Sequence, residues 1–164
     1  MVKIINSLFV TMLGIGKLPK IPGSYASLAT VIFLYILFHI FSVSAEIFLF
    51  FLVAIYVISL FAINLFVKDL TNKDPKEVVI DEFIGQSIPI SLYEIAHFEP
   101  TSPARVLTFY FIMFILFRIF DITKPYPVSY YDKNFKNSFG VIMDDVCAGL
   151  YVVAIFVFYM IITT

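Results

Sequence analysis

Charge is scarce in this chain. Acidic and basic residues make up only 14% of the 164 residues, against roughly 25% in an ordinary soluble domain. That deficit excludes a conventional water-facing surface. With 61% hydrophobic residues and a mean hydropathy of +0.98, lipid is the solvent for most of the protein. Cysteine is nearly missing: Cys147 alone allows no intrachain disulfide and leaves the redox compartment open. With only two histidines beside that cysteine, the ligands zinc favours are almost absent. Tryptophan is absent, so any aromatic belt must be built from the 20 Phe and 10 Tyr. The net charge of −1 says little by itself, because placement matters more than the total.

What is present is a set of long apolar runs. Residues 24–43, 47–67 and 146–162 are long enough to cross a bilayer unaided, and 104–120 is slightly short but apolar until Arg118. A weaker segment, 83–98, is interrupted by Gly85, Gln86 and Pro89. The basic residues decide whether it crosses. If it does, Lys3, Lys17, Lys20, Lys68, Lys73, Lys76, Arg118, Lys124, Lys133 and Lys136 share one side, and Arg105 stands alone opposite. If it does not, the bias collapses. The expectation is therefore about five transmembrane helices in a compact bundle, with the N-terminus cytoplasmic and the C-terminus outside. The run 4–15 is too short to span, lacks a signal-peptide cleavage pattern, and reads as an interfacial or re-entrant helix. With polar loops only at 68–79 and 122–143 and no internal repeat, residues 1–164 read as a single membrane-embedded domain. The fold class is an all-α integral membrane protein, since helices satisfy their own backbone groups in lipid.

Five carboxylates sit at the ends of these runs: Asp81, Glu82, Asp121, Asp144 and Asp145. In the five-span topology all face the cytoplasm. Acids at such a place must be solvated, paired or bound to a cation. Hard oxygen donors suit Mg²⁺ or Mn²⁺. His39 and His97 map to the far side, which argues against histidine-based phosphate chemistry.

Four segments carry the polar residues. In Gly14-Ile-Gly-Lys-Leu-Pro-Lys-Ile-Pro-Gly-Ser-Tyr-Ala-Ser-Leu28, the prolines stiffen the approach, Gly23 permits a tight turn, and Ser24 or Ser27 can cap the following helix. A helix start beside Lys17 and Lys20 suits an anion such as phosphate, although a capped helix with interfacial lysines explains the same residues. In Val79-Ile-Asp-Glu-Phe-Ile-Gly-Gln86, dipole-favoured acids in a first turn account for one carboxylate more easily than for two. In Phe117-Arg-Ile-Phe-Asp-Ile-Thr-Lys-Pro-Tyr-Pro127, Arg118, Asp121 and Lys124 line one side of a helix end. There Asp121 needs a counter-charge, either Arg118 or a metal. In Gly140-Val-Ile-Met-Asp-Asp-Val-Cys-Ala-Gly149, adjacent acids leave a helix start in different directions, and Ala148 and Gly149 allow close packing. Cys147 reads as a packing residue, since no phosphate loop ending in Arg follows it.

These four segments, in this order, resemble the bacterial phosphatidylglycerophosphatase A family, whose pattern runs G-x-G-x-x-P-x-x-P-G-T-x-G-S-L, I-V-x-D-E-x-x-G, F-R-x-x-D-x-x-K-P-x-P and G-x-M-x-D-D-x-x-A-G. The resemblance covers nearly the whole chain. It implies a Mg²⁺-dependent enzyme of the bacterial inner membrane, with Mn²⁺ as a possible substitute, whose cytoplasm-facing active site removes the terminal phosphate of phosphatidylglycerophosphate. It implies neither a nucleic-acid partner nor an obligatory protein partner. The family's acidic positions fall on Asp81, Glu82, Asp121, Asp144 and Asp145, expected as catalytic and metal-binding. Its basic positions fall on Arg118, expected as catalytic, and Lys124, expected with Lys17, Ser24 and Ser27 to bind substrate. Ser24 stands for the usual Thr, Ala26 for Gly, Gln86-Ser87 for a more apolar pair, and Lys136-Asn-Ser-Phe139 for a glycine-rich approach. A Mg²⁺-dependent phosphatidyltransferase and a divalent-cation transporter are the alternatives. The first lacks its D-G-x-x-A-R…G-x-x-x-D-x-x-x-D run, and the second lacks acids within the spans. A histidine-type lipid phosphatase would need a Ser-Gly-His motif, which is missing.

Overall fold

A computed structural model describes residues 2–68, 75–96 and 102–163. Every regular element among them is helical, with α1 at Val2–Val10, α2 at Pro22–Tyr35, α3 at Ala45–Val67, α4 at Ile80–Ala96, α5 at Pro103–Thr123, α6 at Val128–Asn134 and α7 at Ser138–Thr163. Four segments are long and apolar enough to cross a membrane: Pro22–Ile40, Ala45–Val67, Pro103–Thr123 and Ser138–Ile162. The first is α2 continued by a π-helical turn, Ile36–Ile40. Large apolar side chains such as Phe50, Phe61, Phe111 and Phe158 point outward, as expected of helices whose outer solvent is hydrocarbon.

The 17-residue α4 is the central helix. It packs against α2, α3, α5 and α7, so most of its side chains meet protein rather than lipid. This explains its weak hydropathy. Gln86, Ser87 and Ser91 lie buried within the bundle, where the Ser87 hydroxyl donates to the carbonyl of Phe83 at 2.6 Å. Pro89 lies inside α4, and its neighbours in the bundle shield the backbone it leaves unpaired.

The closest crossing is between α4 and α7. A Cβ at Gly85 would lie 2.6 Å from the carbonyl oxygen of Asp145, and one at Gly149 would overlap the carbonyl of Gly85. Two backbones therefore meet where neither helix carries a side chain, the small-residue contact that membrane helices favour. This contact fixes Asp145 directly against α4.

Three local expectations are corrected. Neither Ser24 nor Ser27 caps α2, which starts on Pro22 at its first position with Ile21 before it and no side-chain cap. Gly23 lies within the helix, not in a turn. Its missing side chain makes room for the Glu82 carboxylate. And α7 begins at Ser138, so Asp144 and Asp145 lie well within it rather than at its start. The N-terminal α1 is shorter than the apolar run 4–15. It packs on α3, where the Asn6 amide donates to the Ala62 carbonyl at 3.0 Å.

Candidate metal and phosphate site

All five sequence-identified acids line one cavity of about 850 Å³. Its walls come from the start of α2, the start of α4, the end of α5, the α6–α7 turn and α7. These helix ends share one side of the bundle.

The structure divides the acids into two sets. Asp81, Glu82 and Asp145 each present a carboxylate oxygen within 4.8 Å of the other two. Asp81 Oδ1, Glu82 Oε2 and Asp145 Oδ1 are buried and have no hydrogen-bond partner among the described residues. Two unit charges 4.8 Å apart repel by about 3 kcal/mol at an effective dielectric of about 20, and burial adds a solvation cost. Three such groups are stable together only with protons or a cation among them. An all-oxygen donor set with unsatisfied lone pairs fits a hard divalent ion.

The other two acids hold cations of the chain itself. Asp121 Oδ2 lies 2.8 Å from Arg118 Nη1, one turn back on α5. The same guanidinium nitrogen donates to the Ser27 hydroxyl at 3.3 Å, and Ser27 donates to the Gly23 carbonyl at 2.9 Å. Arg118 Nε is buried and without a partner among the described residues. Lys124 closes α5 in the left-handed conformation, φ 45°, which turns its side chain back across the cavity. Its ammonium donates to Asp144 Oδ2 at 2.8 Å and to Asp132 Oδ1 at 2.6 Å. Burial alone would lower the Lys124 pKa, but the bonds to Asp132 and Asp144 outweigh it and raise the pKa. A lysine with a raised pKa keeps its charge across the physiological range. That ion pair is complete below the ordinary lysine pKa and is lost only as pH rises through the raised value.

The substrate-binding candidates scatter. Ser24 and Lys124 line the cavity, whereas Ser27 is buried behind Arg118 and Lys17 is exposed on a separate 3₁₀ turn outside the lining. The cavity also includes Lys20, which the first motif placed beside a phosphate-suited helix start, and Lys76, Asp132 and Lys136, to which no motif assigned a role. Only proximity across loops reveals them, apart from the basic bias of that membrane face. His39 lies elsewhere, its Nε2 3.3 Å from Glu94 Oε1, and Glu94 also accepts from the Tyr110 hydroxyl at 2.9 Å. His97 falls outside the described residues.

Fold and site together define an all-helical membrane protein with a buried carboxylate cluster at one end of its bundle, able to hold a cation beside fixed positive groups. The comparisons with known proteins narrow that class. A family model described as Phosphatidylglycerophosphatase A matches residues 8–160, and the chain belongs to that family. A protein of Haemophilus influenzae named Phosphatidylglycerophosphatase A is 30% identical over 156 residues, covering 94% of this chain and 89% of its own. One of the same name from Escherichia coli K12 is 28% identical over 137 residues, 84% of this chain and 73% of its own. A Bacteroides thetaiotaomicron protein, named as a candidate phosphatidylinositol-3-phosphatase, is 40% identical over 82 residues, 49% of this chain and 45% of its own. No solved structure matches the chain.

Proposed function

We propose that this protein is a Mg²⁺-dependent lipid phosphatase that hydrolyses phosphatidylglycerophosphate to phosphatidylglycerol and phosphate at the cytoplasmic face of a bacterial inner membrane. The observation that carries this reading is the trio Asp81, Glu82 and Asp145, buried with unpartnered oxygens in a cavity that also holds Arg118 and Lys124. Family membership and the names of the Haemophilus and Escherichia relatives support the substrate.

Asp81, Glu82 and Asp145 would hold the cation. When bound, it would neutralise the phosphate dianion and acidify an attacking water. Arg118, fixed by Asp121, would bind phosphoryl oxygens, a contact that guanidinium geometry suits. Lys124, fixed by Asp132 and Asp144, supplies a second immobile positive charge. Preorganised charges of this kind stabilise the transition state without reorganising during reaction. Attack by water forms a new P–O bond as the bond to the glycerol oxygen breaks. The water's proton passes to a carboxylate lining the cavity and from there to the departing glycerol oxygen, which leaves as the hydroxyl of phosphatidylglycerol.

The five-span topology agrees with this placement. The starts of α2 and α4, the end of α5 and the N-terminal third of α7 line the cavity, so chain direction alternates if α4 crosses with the four longer segments. Most of the basic residues then lie on the cavity side, as the positive-inside rule expects of a cytoplasmic face.

The test is phosphate release by the detergent-purified protein from phosphatidylglycerophosphate and from phosphatidic acid, with Mg²⁺ and with excess EDTA. Mg²⁺-dependent release that favours phosphatidylglycerophosphate is expected. A folded, metal-supplied protein that releases no phosphate from either lipid would refute the reading.

A further inference from the structure

The walls of the cavity change sign with depth. Asp81, Asp144 and Asp145 are buried, and Arg118 and Lys124 are half-buried beside them. Lys20, Lys76 and Lys136 line the same cavity but are exposed. Each comes from a different connection: Lys20 precedes α2, Lys76 precedes α4, and Lys136 lies between α6 and α7. The Lys136 ammonium donates to the Asp132 carbonyl at 2.6 Å. Among the described residues none of the three is held in an ion pair, unlike Arg118 and Lys124. Exposed ammonium groups at the mouth of an acid-floored cavity, in no ion pair among the described residues, can meet an anion from outside, Lys136 while keeping its bond to the Asp132 carbonyl.

We propose that Lys20, Lys76 and Lys136 form an outer anion subsite, which holds a second phosphate of the lipid while its terminal phosphate reaches the acidic floor. This rests on the reading of the site as a lipid phosphomonoesterase. A headgroup entering from the membrane surface puts its terminal phosphate deepest, and the phosphodiester joined to the diacylglycerol follows at the mouth. A lipid with only one phosphate cannot reach floor and rim together. The rim therefore selects bisphosphorylated headgroups over phosphatidic acid. The competing role for the same lysines is general attraction to anionic lipid, which would favour no headgroup.

The variant is Lys20→Gln, Lys76→Gln and Lys136→Gln combined, with the three Lys→Arg changes as its conservative counterpart. In neutral detergent micelles, KM for phosphatidylglycerophosphate should rise about tenfold, the combined effect of three exposed charge contacts. The change should fall on KM rather than kcat, preference over phosphatidic acid should shrink by the same factor, and the arginine variant should retain it. An equal loss on both lipids would overturn the proposal in favour of general attraction. Equilibrium binding separates this inference from the function beneath it. The unsubstituted protein should bind glycerol 1,3-bisphosphate more tightly than glycerol 3-phosphate, and the glutamine variant should not. If that preference exists and depends on the lysines while no lipid phosphate is released, the subsite stands and the phosphatase reading falls. If the preference is absent, or survives in the variant, the subsite is refuted whatever the activity.

Discussion

Asp144 and Asp145 are neighbours in sequence with different partners. Successive residues on a helix point about 100° apart, consistent with its 3.6-residue turn. One carboxylate accepts from Lys124, and the other joins Asp81 and Glu82. The sequence identified the acids, but not this division. It depends on Lys124 folding back in a left-handed cap and on Asp132, a residue of the short α6 with no motif to mark it. Arg118 was legible as both counter-charge and phosphate ligand, and the structure contains the pair with Asp121. Arg118→Lys separates the two roles, because lysine keeps the charge but loses the second donor direction. Hydrogen bonds to charged groups are worth about 1.5–3 kcal/mol, so kcat/KM on phosphatidylglycerophosphate should fall roughly ten- to hundredfold with expression and thermal stability retained. Unchanged kinetics would leave Arg118 only a partner for Asp121.

Among the elements, α4 carries the most consequence and was the hardest to read. Its polar residues lowered its hydropathy, yet it is central because its neighbours, not lipid, are its solvent. Hydropathy reports lipid-facing surface well and interior helices poorly, which is why 83–98 needed the charge argument. The start of α7 was missed because Ser138, Phe139 and Gly140 read as loop, whereas the Gly140 amide donates to the Asn137 side chain at 3.0 Å at the helix start. The reading of Ala148 and Gly149 as close-packing residues fits the α4–α7 crossing, although the sequence did not name Gly85 as the partner. Gly149→Ala places a methyl group against the Gly85 carbonyl and must push α4 from α7. Overpacking of this kind costs typically about 1–3 kcal/mol. Because Asp145 shares that contact, activity should drop along with the midpoint of thermal unfolding. A variant as stable and active as the original would show the crossing to be looser than described.

Across the whole molecule, the bundle brings together acids widely separated in sequence and lines one cavity with them, three of them with buried, unpartnered oxygens among the described residues. All-helical membrane architecture and the convergence of the acids followed from composition, charge bias and motif order. The roles of Lys76, Lys136 and Asp132 did not, since these residues lie in two connections and in the short α6, whose proximity only the folded chain reveals. The central claim is that Asp81, Glu82 and Asp145 hold a divalent cation. The most direct measurement is Mn²⁺ binding followed by electron paramagnetic resonance, on the unsubstituted protein and on the Asp81→Asn and Asp145→Asn variants. Saturable binding that Mg²⁺ displaces, weakened more than about a hundredfold by either change, is the expected result, since losing even a group that only hydrogen-bonds to a ligand costs roughly 10–100-fold in metal affinity. Equal Mn²⁺ affinity in all three folded proteins would contradict the account.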